Sequence, residues 1–364
     1  MNNNRHVCFV NSLRELGGAE LWFVDAARGL ADRGFPTSII AQPDSALAGH
    51  ARERDIPVKS IPIRFDGAPW TLSKLVRYFR QTRVTALVCN MTKDLKAAGL
   101  AGLWAGVPVR LASRESDFPL KDKLYYRWYF GHVATGVLVN SEATRRTVLD
   151  SVPWLESDRV HLLYKGIDRR RFNLATDAPS ARPPVVGFVG QLIARKGLPA
   201  LMKAWEFLDA ADWPDPPPVL RLAGEGALDR EIRTWGQSLR RPECVELVGF
   251  VDDVPTFWHG CRCAVLPSLA EGFGLAAAEA SACGLPVVAT RASSLPELVH
   301  HEKTGLLVPP NRSEALAAAL TRLLRHPGLA DDFGQAGHRF VAATYDHEHT
   351  LDQLQSLVCP EDRP

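Results

Sequence analysis

Short apolar runs rich in Val, Ile and Leu alternate along this chain with longer stretches of helical period. That alternation is the pattern of parallel strands joined by crossover helices. In the first half the predicted strands are Val7 to Val10, Ser38 to Ala41, Ala86 to Cys89, Val109 to Ala112, Gly136 to Val139 and Val160 to Leu163. Helices such as Ala19 to Arg33 and Ser141 to Leu149 fall between them. The second half repeats the theme with Val185 to Val189, Val219 to Ala223, Val245 to Val248, Ala264 to Leu266 and Val287 to Ala289. The fold class expected is α/β, with two Rossmann-like domains built on parallel sheets.

Residues 176–184 are polar and proline-rich with little to bury, and read as the linker between an N-terminal domain at 1–175 and a C-terminal domain at 185–345. After Pro310 only helical patterns remain: Ser313 to Arg325, Leu329 to Ala343 and His347 to Leu357. With no strand to feed, residues 346–364 are expected to form a crossover helix in a tail that packs back across the domains.

Composition narrows the class without changing it. A chain of 364 residues suits two domains, and 46% hydrophobic with 23% charged residues excludes a disordered protein. Arg5 is the one basic residue before the short run Val7 to Val10, which fits neither a signal peptide nor a spanning helix. The seven cysteines lack C-x-x-C spacing, and most read as small core residues in a reducing cytoplasm.

Charge adds an asymmetry. Through Ala175 there are 26 Lys and Arg against 17 Asp and Glu, or +9; the remainder has 17 against 24, or −7. A basic half suggests an anionic partner such as phospholipid headgroups or a phosphorylated acceptor, although charges spread evenly over a solvated surface would give the same count.

In open parallel sheets ligands bind beyond the carboxyl ends of strands, where a loop enters a helix N-terminus. Three loops carry candidate chemistry. In Asn11 to Glu20, Gly17 and Gly18 let backbone approach a phosphate at a helix start, or form a plain tight turn; the G-x-G-x-x-G spacing of a dinucleotide site is absent. In the loop after Val189, Arg195 and Lys196 are adjacent cations that could neutralise a departing diphosphate, or a solvated basic turn. In Leu266 to Glu279, Glu271 and Glu279 flank a glycine-rich turn. Glu271 is placed to accept sugar hydroxyls and Glu279 ribose hydroxyls, with the N–H groups of Phe273, Gly274 and Leu275 aimed between them.

With these features the chain resembles the retaining glycosyltransferases of family 4, whose two-Rossmann-domain architecture is called GT-B. The matching residues are Gly17-Gly18-Ala19-Glu20, Asn140-Ser141-Glu142, Gly166-Ile167-Asp168 with Phe172, Gly190 with Lys196-Gly197, Ala223-Gly224-Glu225-Gly226, Val248-Gly249-Phe250, and Pro267 to Glu279. The resemblance implies transfer of a sugar, with retention, from a nucleotide-diphosphate donor to a glycan or lipid-linked acceptor, as in assembly of surface polysaccharide or glycolipid. It implies Gly18 by the diphosphate, Lys196 on its oxygens, Glu271 on the sugar, Glu279 on the ribose and Gly272 in the same turn. The base is implied near Val248 to Val251, including Gly249, Phe250 and Val251. It also implies no metal and no cofactor beyond the substrate nucleotide.

Two positions depart from the family's pattern. Gln191 stands where Arg is common, so that Arg195 becomes the candidate for the second charge, and Arg114 is the best match to a site that often holds His. An ionic tie of Arg114 to Glu115 or Asp117 is the structural alternative. Lys121 to Phe130 mixes cations and aromatics on a predicted helix, which suits peripheral contact with an anionic membrane at the cytoplasmic face, or a helix packed by its aromatic side. No nucleic-acid partner is expected. A nucleotide-sugar hydrolase or epimerase, or a non-catalytic nucleotide-sugar-binding subunit, would share the scaffold.

Overall fold

A computed structural model of the chain describes residues 5–14, 17–63, 68–174 and 177–360. The chain divides into two compact units, Met1–Lys165 with Glu348–Pro364, and Gly166–His347.

The first unit is a parallel sheet of β1 (His6–Asn11), β2 (Thr37–Ala41), β3 (Val58–Ser60), β4 (Val84–Cys89), β5 (Val109–Arg114), β6 (Gly136–Val139) and β7 (Val160–Leu162). Their spatial order is β3-β2-β1-β4-β5-β6-β7. Successive side chains of a strand point to opposite faces, and both faces here are covered. Cys8 and Val10 enter one core with Leu87, Cys89, Leu75 and Phe79; Val7 and Phe9 enter another with Ala86, Val88, Phe23 and Leu30. Burial on both faces is why these strands read as unbroken apolar runs. The last helix, His347–Val358, puts Leu354 and Val358 into the second of these cores and so returns the chain to the first unit.

The second unit is a parallel sheet of β8 (Val185–Val189), β9 (Val219–Ala223), β10 (Val245–Gly249), β11 (Cys263–Leu266), β12 (Val287–Thr290) and β13 (Gly305–Val308), in the order β10-β9-β8-β11-β12-β13. Val186, Phe188, Leu220, Leu222, Val265 and Val288 pack beneath the helices Leu198–Ala210 and Ser313–Arg325. Each unit is therefore a Rossmann-like α/β layer structure.

Several expectations shift. Both β3 and β13 lie beyond the predicted strands, and each is an edge strand of three or four residues: Lys59 and Ser60 of β3 are exposed and break its apolar run, whereas Gly305-Leu306-Leu307-Val308 of β13 is a short, fully buried apolar run that the predicted strands omit. The segment expected as the linker falls inside the second unit where it is described. Pro179–Ala181 forms a helical turn, and buried Arg182 donates to the carbonyls of Asp177 and Cys261, at 3.1 Å for each. The stretch Gly166–Phe172 also sits in this unit, Ile167 N–H donating to Tyr345 O at 2.8 Å. The predicted aromatic helix begins only at Leu124, running Leu124–Trp128 and then as a wider turn Tyr129–Val133. Phe130 is core, Tyr126 stacks on it at 6.0 Å, and Arg127 is held by Asp122 at 2.9 and 3.0 Å.

Candidate active site

In the second sheet the strand order reverses direction at β8, whose neighbours are β9 on one side and β11 on the other. Such a switch point leaves a crevice beyond the carboxyl ends of the strands. The loops after β8 and β11 meet there. The helical turn Ala194–Lys196 ends on Gly197, at φ +74°, where a Cβ would lie 1.8 Å from the Pro267 carbonyl oxygen. Glycine is thus required by conformation and by contact, and the contact brings the cationic turn against the β11 loop. Leu269 N–H donates to Arg195 O at 2.9 Å, and Arg195 Nη1 donates to Ala270 O at 3.2 Å.

Held by these straps, Lys196 Nζ donates to Glu271 Oε1 at 2.6 Å, and Ser268 Oγ donates to the same oxygen at 2.7 Å. Both charged side chains are largely buried, 19% and 8% exposed. Among the described residues Glu271 Oε2 has no hydrogen-bond partner, so it remains able to accept from a ligand hydroxyl. Three residues on, Gly274 at φ +93° starts the helix Leu275–Ala282, and Glu279 lies one turn in, half-buried. The first N–H groups of a helix have no intrahelical partner and carry partial positive charge. Phe273 is buried, edge-on to Tyr345 at 5.4 Å; Gly272 is buried beside it, and Ser294 Oγ donates to Phe273 O at 2.8 Å, which fixes the turn.

Further along the same edge, Gly249 closes β10 and its carbonyl accepts from Gly224 N–H at 2.7 Å. Val248 and Phe250 present apolar side chains 43% and 54% exposed, with Val251 half-buried. Gln191 is exposed after β8.

The first unit has its own switch point, between β1 and β4. Gly17 there is extended and caps the helix Gly18–Asp32, its N–H donating to Glu20 Oε2 at 3.2 Å; Gly18 is exposed, and Glu15 and Leu16 of the same loop lie outside the described residues. Asn11 and Asn90 Nδ2 both donate to Glu20 Oε1, at 3.4 and 3.2 Å. Asp94 accepts from Ser12 and Met91 N–H at 3.3 and 3.1 Å, yet burial pushes its carboxyl up to about 7 against those bonds. Arg114, at the end of β5, donates to Phe118 O at 2.8 Å and pairs with neither neighbouring acid. Glu115 turns instead to Lys165, whose Nζ is 2.6 Å away, with Ser113 and Asn140 donating to the same carboxylate. Asp117 accepts from Thr147 Oγ1.

Two family descriptions divide this chain. Glycosyltransferase Family 4 matches residues 16–171, and Glycosyl transferases group 1 matches residues 171–340. The chain is similar end to end to a glycosyltransferase of Haemophilus influenzae, 22% identical over 96% of this chain and 98% of that one. The solved structure of Anabaena HepE in complex with UDP-glucose superposes with a TM-score of 0.82 at 22% identity, covering 96% of this chain and 99% of that one.

The chain is a GT-B glycosyltransferase.

A third relative, the amylovoran biosynthesis glycosyltransferase AmsK of Erwinia amylovora, is 30% identical over 46% of this chain, which spans 42% of that protein. Of the residues singled out in the glycosyltransferase's sequence, the fold brings Arg195, Lys196, Glu271, Gly274 and the helix bearing Glu279 to one switch point. Gly17, Gly18 and Arg114 belong to the other unit. The polar set Asn11, Asn90, Glu115, Asn140 and Lys165 was not recognised as a set: Asn11, Asn140 and Glu115 entered only as a loop start, a motif position and an alternative partner for Arg114, and Asn90 and Lys165 not at all. Its signal was present: each residue ends an apolar strand or follows it within three positions. Among the described residues no group of three or more His, Cys, Asp or Glu side chains gathers as a metal site, and no helix is long and apolar enough to cross a membrane.

Proposed function

We propose that this glycosyltransferase acts as a retaining, family 4 enzyme that moves a sugar from a nucleotide-diphosphate donor to a glycan or lipid-linked acceptor in surface polysaccharide or glycolipid assembly. The observation that carries the donor reading is the Lys196–Glu271 contact at the switch point, next to the helix that starts on Gly274. Lys196 is placed to take the charge of the leaving diphosphate, with Arg195 and the helix N-terminus adding to it. Glu271 Oε2 accepts a sugar hydroxyl, Glu279 accepts ribose hydroxyls, and the base covers Val248 and Phe250. Gly18 approaches the diphosphate and Arg114 stands where many relatives keep His. Retention follows from attack on the face the nucleotide leaves, with no enzyme nucleophile. HepE was solved with UDP-glucose and the Erwinia relative serves amylovoran biosynthesis, which favours a nucleotide sugar and a polysaccharide product.

Calorimetry separates the two carboxylates. Glu279→Gln should weaken free nucleotide and intact donor alike, while Glu271→Gln should weaken only the increment that the sugar adds. A hydrogen bond to a charged group is worth about 1.5 to 3 kcal/mol, or roughly 10- to 150-fold in affinity. Equal losses for both ligands in both variants would contradict the assignment.

Because protein cations and helix N–H groups are assigned to the diphosphate, turnover should persist in excess EDTA. Activity that vanishes on chelation and returns with Mg²⁺ or Mn²⁺ would sink the metal-independent mechanism. Peripheral contact with an anionic membrane completes the proposal, because a basic first half of +9 would meet a lipid-linked acceptor at such a surface.

A further inference from the structure

Between Asp66 and Glu115 the chain carries eight Lys and Arg but one acid, Asp94, which is fully buried. This stretch contains two neighbouring helices, Pro69–Gln81 and Leu100–Ala105, which cover one face of the first sheet. Leu72, Leu75 and Phe79 are spent on the core. The opposite side of Pro69–Gln81 presents Lys74, Arg77 and Arg80 to solvent, followed by Arg83. Among the described residues none of these four cations pairs with a carboxylate. Trp70 is 71% exposed, and Trp104 on the companion helix is 55% exposed.

Large aromatics left in water beside unpaired cations are a costly arrangement for a free surface. Between the two helices runs a groove of about 760 Å³, lined by apolar Pro69, Leu72, Val76 and Trp104 and by Arg77 and Arg80. Arg80 Nη2 donates to Trp104 O at 2.8 Å, which ties a cation to the apolar wall.

We propose that this groove and the flanking Trp70 are the surface by which the enzyme sits on an anionic bilayer, with Arg77, Arg80 and Lys74 on lipid phosphates and Trp70 and Trp104 in the interfacial layer. Two features select a bilayer. An indole prefers the interface, where its ring is apolar and its N–H is wet, and cations without intervening acids gain from the negative leaflet potential. The Lys121–Phe130 segment is the weaker candidate because Asp122 neutralises Arg127 and Phe130 is buried. The assignment rests on the membrane contact proposed above and names its location; it does not depend on the donor.

The test is co-sedimentation of the full chain, without nucleotide, with phosphatidylglycerol-containing and pure phosphatidylcholine vesicles at low and high salt. The wild type should bind the anionic vesicles at low salt and release as salt screens the charges. Arg77→Gln with Arg80→Gln should lower the partition about 30-fold at roughly one tenfold step and a half for two cations. Trp70→Ala, whose side chain is too exposed to hold the fold, should lower it by at least about threefold, whereas Lys121→Gln with Lys123→Gln should stay within about threefold of wild type. Wild type that ignores anionic vesicles overturns membrane contact altogether. Wild type that binds, with the Arg77 and Arg80 variant binding equally or the Lys121 and Lys123 variant losing as much, overturns this surface and leaves the contact standing. Binding to a single-stranded oligonucleotide as tight as to vesicles, and indifferent to Trp70→Ala, also overturns it.

Discussion

Lys196→Ala is expected to lower kcat by roughly 100- to 1000-fold while changing donor affinity far less, because a preorganised cation aimed at developing charge contributes about 3 to 4 kcal/mol to the transition state. The expectation follows from the role proposed for Lys196 and from its geometry. Its ammonium is 2.6 Å from Glu271 Oε1 in a position only 19% exposed, so its reach is fixed before any donor arrives. A fixed charge needs no reorganisation as the diphosphate leaves. The substitution also strips Glu271 of one of two donors, leaving Ser268 Oγ. Melting temperature must therefore be recorded beside the kinetics. Lys196→Ala combined with Glu271→Gln separates the effects: it should recover stability without recovering kcat. Turnover of the single variant within about threefold of wild type would remove Lys196 from the mechanism.

The largest stability effect is expected in the first unit, at Lys165. Its side chain is 5% exposed and pairs at 2.6 Å with Glu115, 14% exposed, while its Nζ lies 5.4 Å from the centre of the Trp22 ring. Removing one partner of a buried pair leaves an uncompensated charge, at a cost of about 3 to 5 kcal/mol. Lys165→Met should accordingly destabilise the protein by that amount. For a unit of this size the shift corresponds to roughly 6 to 20 °C in its melting transition. Ser113 and Asn140 would still hold the carboxylate, but they bring no charge to balance it. Lys165→Met with Glu115→Leu should regain most of the loss, since a packed apolar pair avoids the desolvation of both ions. Scanning calorimetry of the single and double variants decides this. A single-variant loss under about 1 kcal/mol would mean that water reaches the pair.

The pattern of apolar runs determined the α/β class and the interior strands, because a parallel strand covered on both faces must be apolar at consecutive positions, as Val7 to Val10 are. It determined helix starts as well: Ser141 caps its helix by accepting from Thr144 N–H at 3.0 Å, one residue before the predicted helix settles at Glu142–Ser151. Loop chemistry singled out Gly197, Lys196, Glu271 and Gly274, since turns and phosphate sites impose local demands that a few adjacent residues can state. Edge strand β3 escaped because its exposed Lys59 and Ser60 need no apolar cover, and β13 because its run of four residues, though buried throughout, is too short to stand out.

What only the tertiary structure decided is which of those residues meet. Lys196 and Glu271 are 75 positions apart, and β9 and β10 intervene in the chain between their strands. They touch because the sheet places β11 directly against β8. The same reversal beside β1 brings Asn11 and Asn90 to one oxygen of Glu20. Arg114 was the candidate by position, yet the fold turns it to a carbonyl and sets its neighbour Glu115 on Lys165. Periodicity records the environment of each residue along its own element, but not strand order or side-chain direction at a strand's end. Those depend on packing between elements far apart in the chain, and that is where the polar partners were chosen.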